Sequence, residues 1–563
     1  MGPAAGETAP STGSVSGRYT FHLPNGWSRR PLEDDVRGDE EGIDEGGDEQ
    51  QGNRYQHRSG LYKPLLAQSD RGEQGDLLEE EGSEHEAQQE SGQQQSVPVG
   101  VLGAFCIMGA AVLLPFNSLV TPSEYYRYLL ADSPRAQGFM SWVVATFNVS
   151  LIAAGALATI SMHTSSPVGR IYYSAGAIFV SLLVLTLLTT KSNSDSNGDQ
   201  SASPSANLIF AALLALTLLI ASATAYLQTA VVALCSVFGR RAMGLMLSGQ
   251  GLVGLVVSIV QLVAAVSKTE GTAPSDGPED QKQVSQAATV FFAFSTAFMA
   301  FAIAIFTWLA RLPVFRKTCR GMGGRPGSEE ARENEDIQET SSPLNHPDNF
   351  FIRQLAAANR PRARHILAIQ SKIRGLSFAI FYTFTVTLAA FPALTARVIS
   401  TDTTTSSSAA AAATSWKRPL LFVAWHFMVF NGFDLAGRLL PSISPTLFLI
   451  RSPRIQVVGT LARTAFIPLL LACNVRPSGS GSGSENAATA TAASLGDGAF
   501  FFLVASLALS NGLMSTGVMV SGPSDGQFTK DTDRATVGAI LNFWLGAGLA
   551  VGSFASFAVG ALA

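Results

Sequence analysis

The sequence predicts an all-α, polytopic membrane protein with eleven transmembrane helices behind a disordered amino-terminal tail. Two observations predict this class. Of the 563 residues, 47% are hydrophobic and only 14% are charged, whereas an average soluble protein is about 25% charged. From residue 97 onward the chain also contains eleven apolar segments, each close to the roughly 20 residues that a helix needs to cross a bilayer.

The apolar segments form two groups, because a long polar stretch separates the sixth from the seventh. We predict a tail at 1–96, six helices within 97–312, a cytoplasmic loop at 313–364 and five helices within 365–563. The predicted spans are residues 97–120, 137–161, 171–190, 206–233, 240–266, 286–312, 365–397, 419–441, 455–474, 498–520 and 534–562.

Basic residues predict the orientation of the chain in its membrane. They are concentrated in the loops that follow even-numbered spans, such as the loop with Arg240 and Arg241, and in the 313–364 loop. Cytoplasmic loops carry an excess of Lys and Arg. We therefore predict that these loops and the amino terminus are cytoplasmic, and eleven crossings then place Ala563 on the extracytoplasmic side.

The tail at 1–96 is rich in Gly, Glu, Asp, Gln and Ser. Such a segment buries too little apolar surface to offset its chain entropy, which predicts disorder. Two patterns in it resemble sorting signals that clathrin adaptor proteins recognise: YKPL, with Tyr62 and Leu65, and EQGDLL, with Leu77 and Leu78. They predict a vacuolar or lysosomal membrane, with the plasma membrane as the alternative.

One apolar segment, Leu420–Pro441, carries an acid and a base. Asp434 and Arg438 are four residues apart, so they lie on the same helix face and are spaced to contact each other. Charges within a bilayer are costly and usually face the bundle interior. The pair is either a self-neutralising link between helices or a polar site in a substrate path. Asn431 lies one turn earlier and adds an amide to the same face.

Other candidate residues lie in the first and fourth spans. Pro115 predicts a bend in the first helix, and Phe116 and Asn117 follow it as an aromatic platform beside an amide. A bend that serves packing alone is the alternative. Gln228 interrupts an apolar run in the fourth span. It either bonds a neighbouring helix or binds a planar, hydrogen-bonding group of a solute.

Small residues and a second proline indicate close helix packing and gating. Gly249 and Gly251 permit close approach of the fifth helix to its neighbours, and Gly437 does the same in the eighth. The Gly249–Gly251 run lacks the preceding strand and the lysine of a phosphate loop, so nucleotide phosphate binding is rejected. Pro392 predicts a break within the seventh span.

Five stretches resemble the equilibrative nucleoside transporter family, in the family's order and on the matching spans. The eighth-span stretch, FNGFDLAGR, is the closest in pattern. The five stretches are LLPFNSLVT (Leu113–Thr121), MLSGQGLVG (Met246–Gly254), FTVTLAAFPALT (Phe384–Thr395), FNGFDLAGR (Phe430–Arg438) and SNGLMSTGVMVSGP (Ser510–Pro523). The chain resembles a fungal or vacuolar-type member.

The resemblance implies a major-facilitator-like bundle of six and five helices that carries nucleosides, with nucleobases as further candidate substrates. It implies that Asp434 and Arg438 contact the ribose and that Gln228 reaches the base. It also implies that Leu113 and Phe116 line the base pocket. Phe116 stands where the family usually has Trp, which makes the pocket roomier.

These observations predict a facilitative transporter that works by alternating access. The sequence contains no ATP-binding motif and no nucleophile–base pair or metal-ligand cluster within its spans, so we predict no enzyme activity and no cofactor. The expected partners are nucleosides and the lipid bilayer, and no nucleic acid. Two alternatives remain open: a proton-coupled nucleoside symporter, and a facilitator of another polar solute such as a sugar.

Overall fold

Within the described part of the chain, eleven helices are long and apolar enough to cross a membrane, which confirms the predicted number of spans. The computed structural model describes residues 97–131, 138–163, 165–195, 206–270, 278–322, 363–401, 418–473, 475 and 495–562. The predicted tail, with Tyr62, Leu65, Leu77 and Leu78, lies outside these residues. Long apolar runs leave the helix as the one local structure that satisfies its own backbone groups in lipid.

We label the spanning helices α1 to α11 in chain order. The ninth span consists of three consecutive helical pieces that together cover Pro453–Leu471. The others are α1 Val99–Val120, α2 Phe139–Ile160, α3 Pro167–Asp195, α4 Ala206–Phe238, α5 Arg240–Glu270, α6 Pro278–Arg311, α7 Arg374–Ala390, α8 Pro419–Ile443, α10 Asp497–Ser521 and α11 Asp531–Leu562.

The seventh predicted span is interrupted at both ends. A helix over 363–372 precedes it, and α7 begins only at Arg374. At the other end α7 stops at Ala390, where Phe391 adopts an extended backbone with φ −116° and ψ 132°. Proline disfavours the α conformation in the residue before it. Pro392 therefore ends the helix, at the place where the sequence predicts a break.

The predicted loop at 313–364 does not begin as a polar linker. Its first residues form a helix, Pro313–Met322. Phe315 of this helix is buried, and its ring stacks on Phe238 at the end of α4 with 5.7 Å between centroids. The apolar residues that directly follow Pro313 thus extend the structured part of the first six helices.

The two groups of helices meet along two seams. Helix α5 packs on α8, and α11 packs on α4 and α2. Within each group the main pairs are α1 with α5, α2 with α4 and α3 with α6, and then α7 with α11 and α8 with α10. Helix α8 therefore lies between its own group and the other one, and this places the Asp434–Arg438 face inside the bundle.

Candidate functional site

Asp434 and Arg438 form an ion pair inside the bundle. The Arg438 Nε donates to Asp434 Oδ2 at 2.8 Å. The two residues are only 6% and 7% exposed, so the pair faces neighbouring helices rather than lipid. Because both charges are desolvated, the pair depends on further hydrogen bonds to satisfy its remaining polar atoms.

Those further bonds extend the pair into a network across four helices. Asn511 of α10 donates through Nδ2 to Asp434 Oδ1 at 2.7 Å. The Thr387 hydroxyl of α7 lies 2.8 Å from Asn511 Oδ1. Arg463 of the ninth span donates through Nη2 to that hydroxyl at 2.6 Å. The chain Arg438–Asp434–Asn511–Thr387–Arg463 thus connects α8, α10, α7 and the ninth span.

The sequence analysis missed three members of this network, Thr387, Asn511 and Arg463, and of these Arg463 carries a charge. It is 2% exposed, and its Nη1 also donates to the carbonyl of Leu507 at 3.1 Å. Its signal was available, because an arginine in an apolar run (TLARTAFIPLLL) is as unusual within a membrane as Asp434. The network holds one carboxylate and two guanidinium groups, which gives it a net charge of +1.

The ion pair keeps hydrogen-bonding capacity. A guanidinium has five N–H donors, and Arg438 uses one on Asp434 and one on the carbonyl of Leu247 in α5, at 3.3 Å. Three of its N–H groups therefore make no hydrogen bond to the described residues. Each carboxylate oxygen of Asp434 has two lone pairs and accepts one hydrogen bond from the described residues: Oδ2 from Arg438 and Oδ1 from Asn511. The pair can thus both donate to and accept from a hydroxylated solute.

Asn431 lies on the seam between the two groups of helices. Its Nδ2 donates to Ser258 Oγ of α5 at 2.7 Å and to the carbonyl of Phe427 at 3.0 Å. A methyl group on Gly254 would collide with its amide. The amide is half-buried and is held against α5, one turn from Asp434.

Gln228 lines a small cavity between α2, α4 and α11. Leu151, Asn542 and Phe543 share its wall, whereas Asp434 and Arg438 do not line it. No hydrogen bond joins the Gln228 amide to the described residues. The sequence analysis therefore identified one residue of this cavity and missed Asn542, the one amide side chain in α11.

The cavity and the ion pair lie at similar depth. Because successive spans alternate direction, α4 and α8 end on the membrane side on which α11 begins. Gln228 is 10 residues before Phe238, Asp434 is 9 before Ile443 and Asn542 is 11 after Asp531. At 1.5 Å per residue these offsets correspond to about 14–17 Å. The two regions therefore lie at about the same distance from that side of the membrane.

The predicted residues of α1 lie close to α2 rather than in this cavity. Asn117 donates through Nδ2 to the carbonyl of Leu113 in its own helix at 3.1 Å. The Phe116 ring contacts Phe147 of α2 at 4.9 Å between centroids. Leu113 and Phe116 are half-buried, and α1 continues through Pro115 to Val120.

The predicted packing glycines occupy tight contacts. A methyl group on Gly249 would collide with the carbonyl of Cys106 in α1, and one on Gly437 with the carbonyl of Leu509 in α10. A methyl group on Gly251 would lie 3.1 Å from Cδ of Arg438. The α5–α8 contact beside the ion pair therefore depends on the missing side chain at Gly251.

In the part of the chain that the structure describes, no three His, Cys, Asp or Glu residues are grouped so that they could hold a metal ion. His426 is fully buried. It lies among the rings of Phe391, Phe427 and Phe500, with centroids 5.9, 4.7 and 5.9 Å away. Its position is that of a core residue.

Fold and site together define an integral, multi-pass membrane protein with a charged, hydrogen-bonded centre. The family model described as "Nucleoside transporter" matches residues 214–561, which is more than half of the chain and includes α5 to α11 and most of α4. The chain belongs to the nucleoside transporter family.

Characterised relatives agree with this assignment. Equilibrative nucleoside transporter 1 of Homo sapiens is 27% identical over 339 residues, which are 60% of this chain and 66% of the relative. The rat equilibrative nucleoside transporter 1 is 25% identical over 482 residues, or 81% of this chain and 96% of the relative. Equilibrative nucleotide transporter 1 of Arabidopsis thaliana is 22% identical over 446 residues, or 79% and 83% of the two chains.

Solved structures of major facilitator superfamily transporters are also similar. FucP in its outward conformation has 12% identity and a TM-score of 0.45, with 84% of this chain and 96% of that chain covered. The proton:xylose symporter XylE has 12% identity and a TM-score of 0.45, with 84% and 88% covered.

Proposed function

We propose that the Asp434–Arg438 pair and the Gln228 cavity together form the substrate site of this transporter, at mid-depth between its two groups of helices. The function of the chain is facilitative transport of nucleosides. The observation that supports the proposed site most is the buried ion pair, which retains three N–H donors on Arg438 and free lone pairs on Asp434.

The chemistry of a nucleoside fits this arrangement. Ribose hydroxyls can donate to the Asp434 carboxylate and accept from the Arg438 guanidinium. Hydrogen bonds to charged groups are roughly twice as strong as those between neutral groups. Such bonds offset the cost of moving a polar sugar from water into an apolar bundle. The amide of Gln228 can bond the edge of the base, because it both donates and accepts.

Alternating access would follow from relative motion of the two groups of helices. The Arg438–Leu247 bond of 3.3 Å joins α8 to α5 across the seam between them. A substrate that takes Arg438 N–H groups would compete with or reposition this link. Substrate binding would thus weaken a hydrogen bond that joins the two groups of helices, as expected for transporters whose site lies at the interface of two repeats.

The first test is uptake of labelled uridine into liposomes that contain the purified chain. We expect saturable uptake that excess adenosine inhibits and glucose does not. Inhibition by glucose would favour the alternative of a facilitator for another polar solute. Inhibition by free uracil or adenine would extend the substrates to nucleobases.

We propose uniport rather than proton symport. The carboxylate of the network is already paired with Arg438 at 2.8 Å, and Arg463 adds a second positive charge nearby, so protonation of Asp434 would leave two buried guanidinium groups without a counter-ion. The test is uptake with and without an imposed pH gradient. Accumulation of uridine against its own gradient, driven by protons, would contradict uniport.

The membrane and orientation also belong to the proposal. Basic loops support a cytoplasmic amino terminus and an extracytoplasmic Ala563, and the tail patterns support delivery to a vacuolar or lysosomal membrane by clathrin adaptors. Tags at both termini, probed before and after permeabilisation, test the orientation. Replacing Tyr62, Leu77 and Leu78 by Ala should move the protein to the plasma membrane, and unchanged localisation would contradict the sorting role.

A further inference from the structure

The cavity that Gln228 lines contains a second amide, on Asn542 of α11. Asn542 is 7% exposed, and it borders the cavity together with Phe543, also of α11, and Leu151 of α2. The sequence analysis singled out only Gln228, on the opposite wall. Two amides from adjacent helices, with an aromatic ring beside them, can offer hydrogen-bond partners to groups on one edge of a base.

The hydrogen bonds around Asn542 determine which way its amide points. Its neighbour Thr229 uses its single hydroxyl hydrogen on the carbonyl of Ala225, at 2.8 Å. The Thr229 oxygen can then only accept from other groups. Asn542 therefore presents its NH2 group to Thr229, at 3.3 Å.

This orientation leaves the Asn542 carbonyl oxygen without a donor. Oδ1 is buried and has no hydrogen-bond partner among the described residues. Buried polar atoms are nearly always satisfied, so an orphan acceptor beside a cavity indicates a partner that enters the cavity. Because Oδ1 only accepts, that partner must bring an N–H or O–H group.

We propose that Asn542 is a specificity-determining residue that accepts a hydrogen bond from the exocyclic amino group of the base. The proposal rests on the proposed function, in which Gln228 bonds the same edge. An amino group has two hydrogens, so it can donate to Asn542 Oδ1 and to the Gln228 carbonyl at once. Adenosine and cytidine carry such a group.

The oxo counterparts of these nucleosides are the discriminating ligands. Inosine has an oxygen where adenosine has the amino group, and uridine has one where cytidine has it. An oxo group would place an acceptor against the Asn542 acceptor and leave both unpaired. A site that is built to bond a donor discriminates against the analogue that lacks it. We therefore expect adenosine to bind about tenfold more tightly than inosine, which is the worth of about one hydrogen bond.

The test is inhibition of labelled uridine uptake by adenosine and by inosine, in wild type and in Asn542→Leu, a change that keeps the branched four-atom side chain and removes the acceptor. The wild-type ratio of the two inhibition constants should be about ten, and the variant ratio should fall to about one. The matched control is Asn148→Leu. Asn148 of α2 also bonds α11, through Ser553 at 3.2 Å, but it does not line the cavity, so its ratio should equal that of wild type.

A second variant keeps the test decisive if Asn542→Leu does not fold. Thr229→Val removes the acceptor that orients the Asn542 amide, so the ratio should fall severalfold although Asn542 is intact. An unchanged ratio in the folded variants, or a wild-type ratio near one, would overturn the role of Asn542 and leave nucleoside transport standing. Absence of any nucleoside uptake by wild type would instead overturn the proposed function.

Discussion

Separate and combined replacement of Asp434 and Arg438 distinguishes a packing role of the ion pair from a substrate role. Removing one partner of a buried pair leaves an uncompensated charge and costs about 3–5 kcal/mol of stability. Replacing both partners by apolar residues of similar volume is often neutral. We therefore expect Asp434→Leu and Arg438→Met each to destabilise the folded protein. The double variant should be more stable than Asp434→Leu but less stable than wild type, because Arg463 then still lacks a carboxylate partner.

The two single variants should not be equal, because Arg463 belongs to the same network. Without Asp434, two buried guanidinium groups remain and no carboxylate opposes them. Without Arg438, the Asp434 carboxylate still connects to Arg463 through Asn511 and Thr387. Asp434→Leu should therefore cost more than Arg438→Met, by about 1.5–3 kcal/mol, the typical size of one hydrogen bond to a charged group.

Two measurements on the same variants decide the matter: thermal unfolding of the purified protein in detergent, and uridine uptake in liposomes. With a substrate role, the double variant folds more stably than Asp434→Leu and does not transport. With a packing role alone, the folded double variant still transports uridine. Equal losses of stability in the two single variants would contradict the idea that Asp434 also balances the charge of Arg463.

Three further predictions follow from the packing. Gly548→Ala should lower the free energy of unfolding by about 1–3 kcal/mol, because the new methyl group would collide with the carbonyl of Phe381 in α7; Gly176→Ala, which meets no atom within 4 Å, should be neutral or slightly stabilising in thermal unfolding. Arg463→Lys should reduce uptake although it keeps the charge, because one ammonium does not reproduce the forked guanidinium bonds; wild-type uptake by this variant would contradict the network. Gly538→Ala, on the contact between α11 and α4, should lower the maximal rate of uridine uptake and leave the melting temperature close to that of wild type. A lower melting temperature with unchanged uptake would contradict the idea that this contact moves during transport.

The eleven spans were predictable because each is a long apolar run, and a single run of this length satisfies its backbone hydrogen bonds in lipid by forming a helix. The break at Pro392 was predictable for an equally local reason, since proline restricts its neighbour. The ion pair of Asp434 and Arg438 was predictable from their four-residue spacing alone. These features depend on one helix at a time.

The rest of the site depends on how helices are placed against one another. Thr387 and Asn511 are ordinary polar residues in their own spans, and their value appears only when α7, α8 and α10 bring them into one chain of bonds. Asn542 is similar, because its orphan oxygen is defined by the hydroxyl of Thr229 on another helix. Arg463 is different: its charge within an apolar run was a sufficient signal.

Glycine contacts within each group of helices differ from those between the groups. Inside a group, the missing side chains let backbones touch. A methyl group on Gly109 would collide with the carbonyl of Met246, one on Gly512 with that of Asp434, and one on Gly548 with that of Phe381. Backbone atoms move only with their whole helix, so these contacts fix α1 to α5, α8 to α10 and α7 to α11 as rigid pairs.

Between the groups the opposing atoms belong mainly to side chains. The nearest atom to a methyl group would be a side-chain hydroxyl at Gly244 and at Gly538, the Asn431 amide at Gly254, and the aliphatic stem of Arg438 at Gly251. Side chains can change rotamer without moving a helix, so these contacts can be exchanged as one group rotates against the other. This glycine pattern is what the proposed alternating access needs, since contacts within a group involve backbone and contacts between groups involve side chains. In that proposal Arg438, which lies on the seam and in the proposed substrate site, would couple the bound substrate to the motion.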